Sequence, residues 1–258
     1  MKSPFRSHQQ MVRGLTSGAA TRAAANASRA AAAPTPDSPE GREYAQLRVQ
    51  LHDNLRELGE IQSHEARQPK KAEFAKAFAP WIDGVLEAGA SSAAAQDEIL
   101  VTNMIWAIDY QDFAYALRLG EHAIRHKLDL PERYTRSVGC FLAEEIAEAA
   151  LAGSDQVDHI QLVQLRELVA EEDMPDQVRA KLFKAIGRSF AAKAEAFDPA
   201  ADNAPAGGQA AFTEEAVTNL KRALDLDEKA GVKKDIEKLE RNLAKLREAA
   251  AAAADEQE

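Results

Sequence analysis

The sequence predicts an all-α protein: helical hairpins stacked in an array, preceded by a long helix and a disordered basic N-terminal arm. Three observations carry that prediction. Aromatic residues are only 6% of the 258, and alanine supplies much of an apolar share of 45%. Such a composition favours helices with small core residues over sandwiches and barrels. Apolar residues recur at steps of three and four along most of the chain, the period of a helix with one buried face. Short polar or proline-bearing segments separate these stripes at hairpin spacing. The length suffices for one large domain or two small ones, each with a core.

Residues 1–41 form the expected arm. Met1 to Pro36 contains no Asp or Glu but carries Lys2, Arg6, Arg13, Arg22 and Arg29 among Ala, Ser, Thr and Gly, with no hydrophobic period. Three readings stand open: a solvated tail, an electrostatic arm for nucleic acid, or an organelle transit peptide. No continuous apolar run follows Lys2, so a secretory signal does not fit.

Residues 42–72 are expected to hold an amphipathic helix and a basic collar. Tyr44, Leu47, Leu51, Leu55 and Leu58 make one stripe, which either packs on its own domain or mediates self-association. Arg67-Gln68-Pro69-Lys70-Lys71 is expected to break the helix.

Residues 73–194 are expected to be a helical-hairpin domain. Phe78, Trp81, Ile82, Val85 and Leu86 share a face, with Pro80 placed in a first turn. After a Gly/Ala/Ser loop, Ile99 to Ile108 is so apolar that its helix must be buried on most sides. Asp109 to Asp112 turns the chain into a helix whose Ala116, Gly120 and Ala123 would let its hairpin partner approach. Asp173-Met174-Pro175-Asp176 opens a helix with Val178, Leu182, Phe183, Ile186 and Phe190.

A flexible loop is expected over 195–212, then a C-terminal helical hairpin over 213–250, with Thr213 as N-cap and Glu214 and Glu215 in the first turn. The run AVTNLKRALDLD (216–227) has the grammar of a tetratricopeptide-like helix, so the stacked array is read as tetratricopeptide-like. Val232, Ile236, Leu239, Leu243 and Leu246 mark the last helix, either the end of a solenoid or a coiled-coil seam. Residues 251–258 form an acidic tail expected to fray.

Residue chemistry alone names no active site. A single cysteine, Cys140, excludes an internal disulfide framework and any cysteine-based zinc site. It is expected to be a small buried residue. No run approaches a membrane span, and neither a P-loop nor a G-x-S-x-G elbow occurs. His122 and His126 share a helix face as a metal pair would, but no H-E-x-x-H frame accompanies them, and a solvated face near a helix C-terminus is the preferred reading. Asp97, Glu98, Asp109 and Asp112 form an acidic group. Asp97, Asp109 and Asp112 could hold Mg²⁺ for phosphodiester cleavage; alternatively these residues start and stop helices.

Four segments carry a resemblance: FAPWIDGVLEAG (78–89), AQDEILVTNMIWAIDYQDFAYAL (95–117), DMPDQVRAKLFKAIG (173–187) and AGVKKDIEKLERNL (230–243). In this order and spacing they resemble the small terminase subunit family of contractile-tailed temperate phages, labelled terminase endonuclease subunit. The resemblance spans about Lys70 to Leu246. It implies recognition of double-stranded phage DNA at the packaging-start or cohesive-end site, and handover to the ATPase large subunit for cutting and packaging into the procapsid. It implies a ring-shaped homo-oligomer in the host bacterial cytoplasm, with no membrane partner and no cofactor. The alternatives are an intrinsic Mg²⁺-dependent endonuclease, the only reading that calls for a cofactor, and a protein-binding helical-repeat adaptor. The family label names an enzyme, yet no nuclease or ATPase motif is visible.

The charge then has to be read by position. The net of −10 argues against a nucleic-acid partner only as an average. Residues 1–72 hold 11 Lys+Arg and 7 Asp+Glu, a net of +4; the remainder holds 21 and 35, a net of −14. Arg6, Arg13, Arg22, Arg29, Lys70 and Lys71 are the candidates for phosphate contact. Arg133 and Arg136 form a second patch, with a solvated surface as its alternative. Lys233 and Lys234 open the last helix, where a helix start could attract an anion or simply present two lysines to solvent. No base-reading element stands out.

Overall fold

A computed structural model describes residues 35–89, 94–200, 204 and 207–255. Among these residues the regular structure is nine α-helices, without a strand. The arm's Arg6, Arg13, Arg22 and Arg29 lie outside the described residues. The chain divides into two compact units. The first holds the described residues up to Val101 together with His122–Asp129, and the second holds Thr102–Glu121 and Leu130 onward.

In the first unit, α1 (Pro39–Glu60) starts on Pro39 itself. The side chain of Ser38 caps it by accepting from Gly41 N, and Pro at the first helical position loses no bond there. The chain turns over Ile61-Gln62-Ser63, and the Ser63 hydroxyl accepts from Ala66 N to open α2 (His64–Gly89). The helix therefore breaks before Ser63 and not at the expected Arg67–Lys71 segment. Pro69 and Pro80 both lie inside α2, so Pro80 does not occupy a first turn. Each proline deprives the carbonyl four residues back of its donor. Those residues, Glu65 and Lys76, are exposed, as are both prolines, so water can take the donor's place.

Tyr44 lies beside Trp81 and Glu57 beside Lys70, so α1 and α2 run antiparallel. Leu51 and Leu58 of the α1 stripe are buried, as are Phe78 and Ile82 of α2. Of the two uses open to that stripe, it packs on its own unit.

Helix α3 (Glu98–Asp109) is buried at every residue from Ile99 to Ala107, the polar Thr102 and Asn103 included, as its density of apolar residues requires. Gln111 takes φ 65° in the turn to α4 (Phe113–Arg125). Gly120 was expected at the seam between α3 and α4. Its open side instead admits α5 (Val138–Leu151): a Cβ there would stand 2.3 Å from Leu142 Cδ1.

The rest of the second unit alternates in direction. It comprises α5, α6 (His159–Leu168), α7 (Asp176–Glu195), α8 (Gly208–Leu226) and α9 (Lys233–Asp255). Lys181 of α7 reaches Glu144 and Glu148 of α5, while Gly139 lies against Glu172, so α5 and α7 run parallel. His159 at the start of α6 meets Ser189 and Phe190 late in α7. Gln209 bonds to Ala194 O, and Gly187 abuts Leu220 and Ala216, making α7 and α8 antiparallel. Ion pairs Lys221–Glu240 and Arg247–Glu214 bind α9 antiparallel to α8, and Arg188–Asp235 and Lys238–Glu195 set it parallel to α7. Val232, Ile236 and Leu239 join Ala216, Val217 and Leu220 in one buried cluster. The last helix thus packs its apolar stripe on α8.

Three expectations need correcting in this region. Thr213 is not the N-cap of α8. That helix begins at Gly208 behind Gly207, whose φ of 71° glycine supplies freely. Thr213 is buried within it and donates its hydroxyl to Gln209 O. Gln209 to Phe212 continue the helix because Phe212 packs against Phe190 and Phe197, which also shortens the expected 195–212 loop. Of the expected tail, residues 251–255 continue α9, as a run of alanines favours, and 256–258 lie outside the described residues.

Candidate nucleic-acid interface

The structure leaves the sequence-predicted cations in unequal states. Lys70 lies 3.2 Å from a Glu73 oxygen and 4.0 Å from one of Glu57, with its ammonium over the Phe74 ring. Lys71 beside it is half-buried. The collar's charge is thus partly compensated within its own unit. Arg136 bonds to Glu144 and Glu145 and stacks over Phe141. Glu144 also binds Lys181, so this patch is an ion network more than an open cation site. Arg133 differs: it is exposed and lies 5.0 Å above the centre of the Tyr134 ring, which meets Phe141 edge-on. A guanidinium held over an aromatic face is preorganised for a phosphate or a base.

Lys233 and Lys234 are exposed in the first turn of α9. Two cations from α7 come up beside them. Lys184 donates to Ala230 O at 2.7 Å, and Arg188 pairs with Asp235 at 3.1 Å. Partial burial, then the Arg188 charge, push the Lys184 ammonium below its ordinary pKa. No motif in the sequence linked α7 to this helix start; the packing does.

Two of the three carboxylates considered for Mg²⁺ have other work. Asp97 is buried, and its oxygens accept from Trp81 Nε1 at 2.8 Å, Ile99 N at 2.8 Å and Leu100 N at 3.0 Å. Burial raises its pKa despite these bonds. Asp112 caps α4 through Tyr115 N. Asp109 ends α3. Among the described residues no three His, Cys, Asp or Glu side chains gather as a metal set.

Around Asp97 the first unit builds a polar clasp. Tyr44 stacks on Trp81 with ring centres 5.3 Å apart, and its hydroxyl accepts from Glu98 N. Glu98 in turn holds Arg48 at 2.9 Å and His52 at 3.0 Å. Partial burial pushes the Glu98 carboxyl up, but the hydrogen bonds from His52 and Arg48 outweigh it and hold the pKa below the usual value. The sequence showed Tyr44 only as one apolar position in a stripe, so this clasp was missed.

The histidine pair is not on a solvated face. His122 is 4% exposed, with its ring centre 4.4 Å from that of His126. His126 Nδ1 accepts from Ala94 N, so its Nε2 carries the proton and donates to Gly89 O. A Cβ on Gly89 would stand 2.3 Å from His122 Cε1. The two rings thus wrap the end of α2, and the missing side chain at position 89 makes room for them. Cys140 is buried and its thiol pushed up in pKa by burial, as a small core residue.

No helix among the described residues is long and apolar enough to cross a membrane. Over residues 48–177 the chain matches the family model described as phage small terminase subunit. It is 39% identical over 203 residues to the terminase, endonuclease subunit of Escherichia phage P2, covering 78% of this chain and 74% of that protein. No solved structure matches it significantly.

Proposed function

The chain belongs to the phage small terminase subunit family, and from that we propose that it is the DNA-recognition subunit of a packaging terminase. It binds the packaging-start or cohesive-end site of phage DNA and presents that site to an ATPase large subunit. The family match is the observation that carries this reading. The charge distribution supports it: five cations and no carboxylate in residues 1–36, ahead of an acidic body. The acidic body keeps the duplex from adhering over the whole surface, so contact concentrates where positive charge is left free. Arg6, Arg13, Arg22 and Arg29 of the arm supply phosphate contacts, joined by Arg133 over Tyr134 and by Lys233 and Lys234. Lys70, Lys71 and Arg136 contribute less, being engaged within the fold.

The alternating helices α5 to α9 support a tetratricopeptide-like arrangement of the second unit, a scaffold suited to holding a partner protein. A ring-shaped homo-oligomer would let several arms engage one duplex and raise the avidity of modest contacts. The name of the phage P2 relative favours a second reading, intrinsic cutting.

Mobility shift of a cohesive-end duplex by the full chain, and by a chain lacking residues 1–40, tests the first reading. Weaker binding after truncation is expected. Unchanged binding would remove the arm from the interface, and no binding by the full chain at low salt would overturn the reading. Adding Mg²⁺ to the same mixture, without the large subunit, tests the second; an uncut duplex rejects it.

A further inference from the structure

Helix α9 buries Ile236, Leu239 and Leu243 on one side, in line with Val232 just before it. At 100° per residue, Lys234, Lys238, Arg241 and Lys245 fall together on the opposite side, within an arc of roughly 60° and along about 16 Å of axis. All four are exposed. Among the described residues no carboxylate pairs with Lys234, Arg241 or Lys245. Lys238 reaches Glu195 at 3.1 Å with its side chain still 63% exposed. Arg241 Nε turns back to Glu237 O. Glu237 and Glu248 border the stripe on one side only.

Several cations around it serve packing instead. Lys221, Arg247, Arg188 and Lys181 each pair with a carboxylate that helps fix one helix on another. Lys238 makes such a pair too, with Glu195, but Lys234, Arg241 and Lys245 do not, and the four aligned charges stand against a region of net −14 after residue 72. The stripe also lacks the buried-capable aromatic or aliphatic anchors that protein interfaces use. Among the described residues the large apolar side chains left exposed are Val49 and Ile160, neither of them on α9. A row of cations without apolar anchors matches an extended polyanion.

We propose that the Lys234–Lys238–Arg241–Lys245 face of α9 is a contact surface for the phosphate backbone of double-stranded DNA, separate from the N-terminal arm. The inference rests on the packaging reading and extends the contact proposed at Lys234 along the whole outer face of α9. Such a surface positions the duplex without reading its sequence. Four phosphates neutralised per chain make the slope of log K against log salt steeper by about 3.6, or about 150-fold in affinity between 50 and 200 mM salt.

The experiment is fluorescence anisotropy of a 30-base-pair duplex, titrated from 50 to 200 mM KCl. It compares the full chain with the Lys234→Gln/Lys238→Gln/Arg241→Gln/Lys245→Gln variant and with the Lys234→Gln/Arg241→Gln pair. A variant changing the three lysines to arginine serves as the charge-preserving control, and circular dichroism verifies folding. The quadruple variant should lose most of that slope, the pair about half, and the arginine control none. A wild-type slope retained in the folded pair or quadruple variant overturns the α9 surface and leaves the packaging reading standing. A wild-type chain that fails to bind DNA at 50 mM salt overturns both. Loss of binding to an acidic protein, with DNA affinity unmoved, would assign the face to a protein partner and overturn the inference.

Discussion

Acid should destabilise this protein through His122 in particular. The ring is 4% exposed, and its Nε2 has no hydrogen-bond partner among the described residues. Burial, with the charges of His126 and Arg125 adding to it, pushes its pKa down to about 4 from the ordinary 6.5. The unfolded chain therefore binds this proton more readily than the native one. Stability is complete above about pH 6.5 and is lost as the pH falls towards 4. A depression of about 2.5 units at 1.36 kcal/mol each amounts to about 3 kcal/mol, most of it spent by pH 4. Urea denaturation followed by far-UV circular dichroism at pH 7, 6, 5 and 4 measures it. Carboxylates titrate over part of the same range, so the informative quantity is a difference. Wild type should lose about 3 kcal/mol more between pH 7 and pH 4 than His122→Leu, which has no proton to bind. Parallel pH profiles for the two proteins would refute the reasoning and place His122 in contact with water.

Two further substitutions probe the packing. Asp97→Ala removes a helix cap worth about 1 kcal/mol and a hydrogen bond to Trp81 worth about 1 kcal/mol. A loss of about 2 kcal/mol is expected in thermal or urea unfolding, with Asp97→Asn retaining most of the stability; equal stability of the Ala variant would deny the clasp its role. Gly187→Val forces a side chain into space where even a Cβ stands 2.7 Å from Leu220 Cγ and 3.1 Å from Ala216 O. It should cost about 2 kcal/mol by overpacking, seen as a lower melting temperature, whereas an unchanged melting temperature would mean that α7 and α8 can part cheaply.

The helical period was legible because it is local. Val232, Ile236, Leu239 and Leu243 form one stripe at steps of four, three and four and are buried together. The dense apolar run from Ile99 onward, broken only by Thr102 and Asn103, implies full burial of α3. Helix boundaries were less legible where a strong local signal competed with packing. Pro69 looked like a breaker, yet its freed carbonyl partner is exposed and can be hydrated. Thr213 looked like a cap, yet Phe212 packs against Phe190 and Phe197 and draws the helix start back to Gly208. The short α6 carries a weak sequence signal, the capping box of Asp158 and Gln161, easily lost between two longer helices.

The candidate interface was legible as a list of cations but not as a surface. Which cations are spent depends on carboxylates distant in sequence, such as Glu144 for Lys181. The α9 face was hidden because Lys234, Lys238, Arg241 and Lys245 are interleaved with core positions and acids, and they separate only when the helix is wound. His122 likewise gave no sign of burial, since the Gly89 that makes room for it lies 33 residues earlier.

The central claim is recognition of a DNA site, and competition anisotropy tests it most directly. The full chain is bound to a labelled cohesive-end duplex from its own phage genome at physiological salt, then challenged with unlabelled duplexes of the same or of scrambled sequence. Site recognition predicts displacement by the matching duplex at a concentration at least about a thousandfold lower than by the scrambled one. Equal displacement by the two would contradict it.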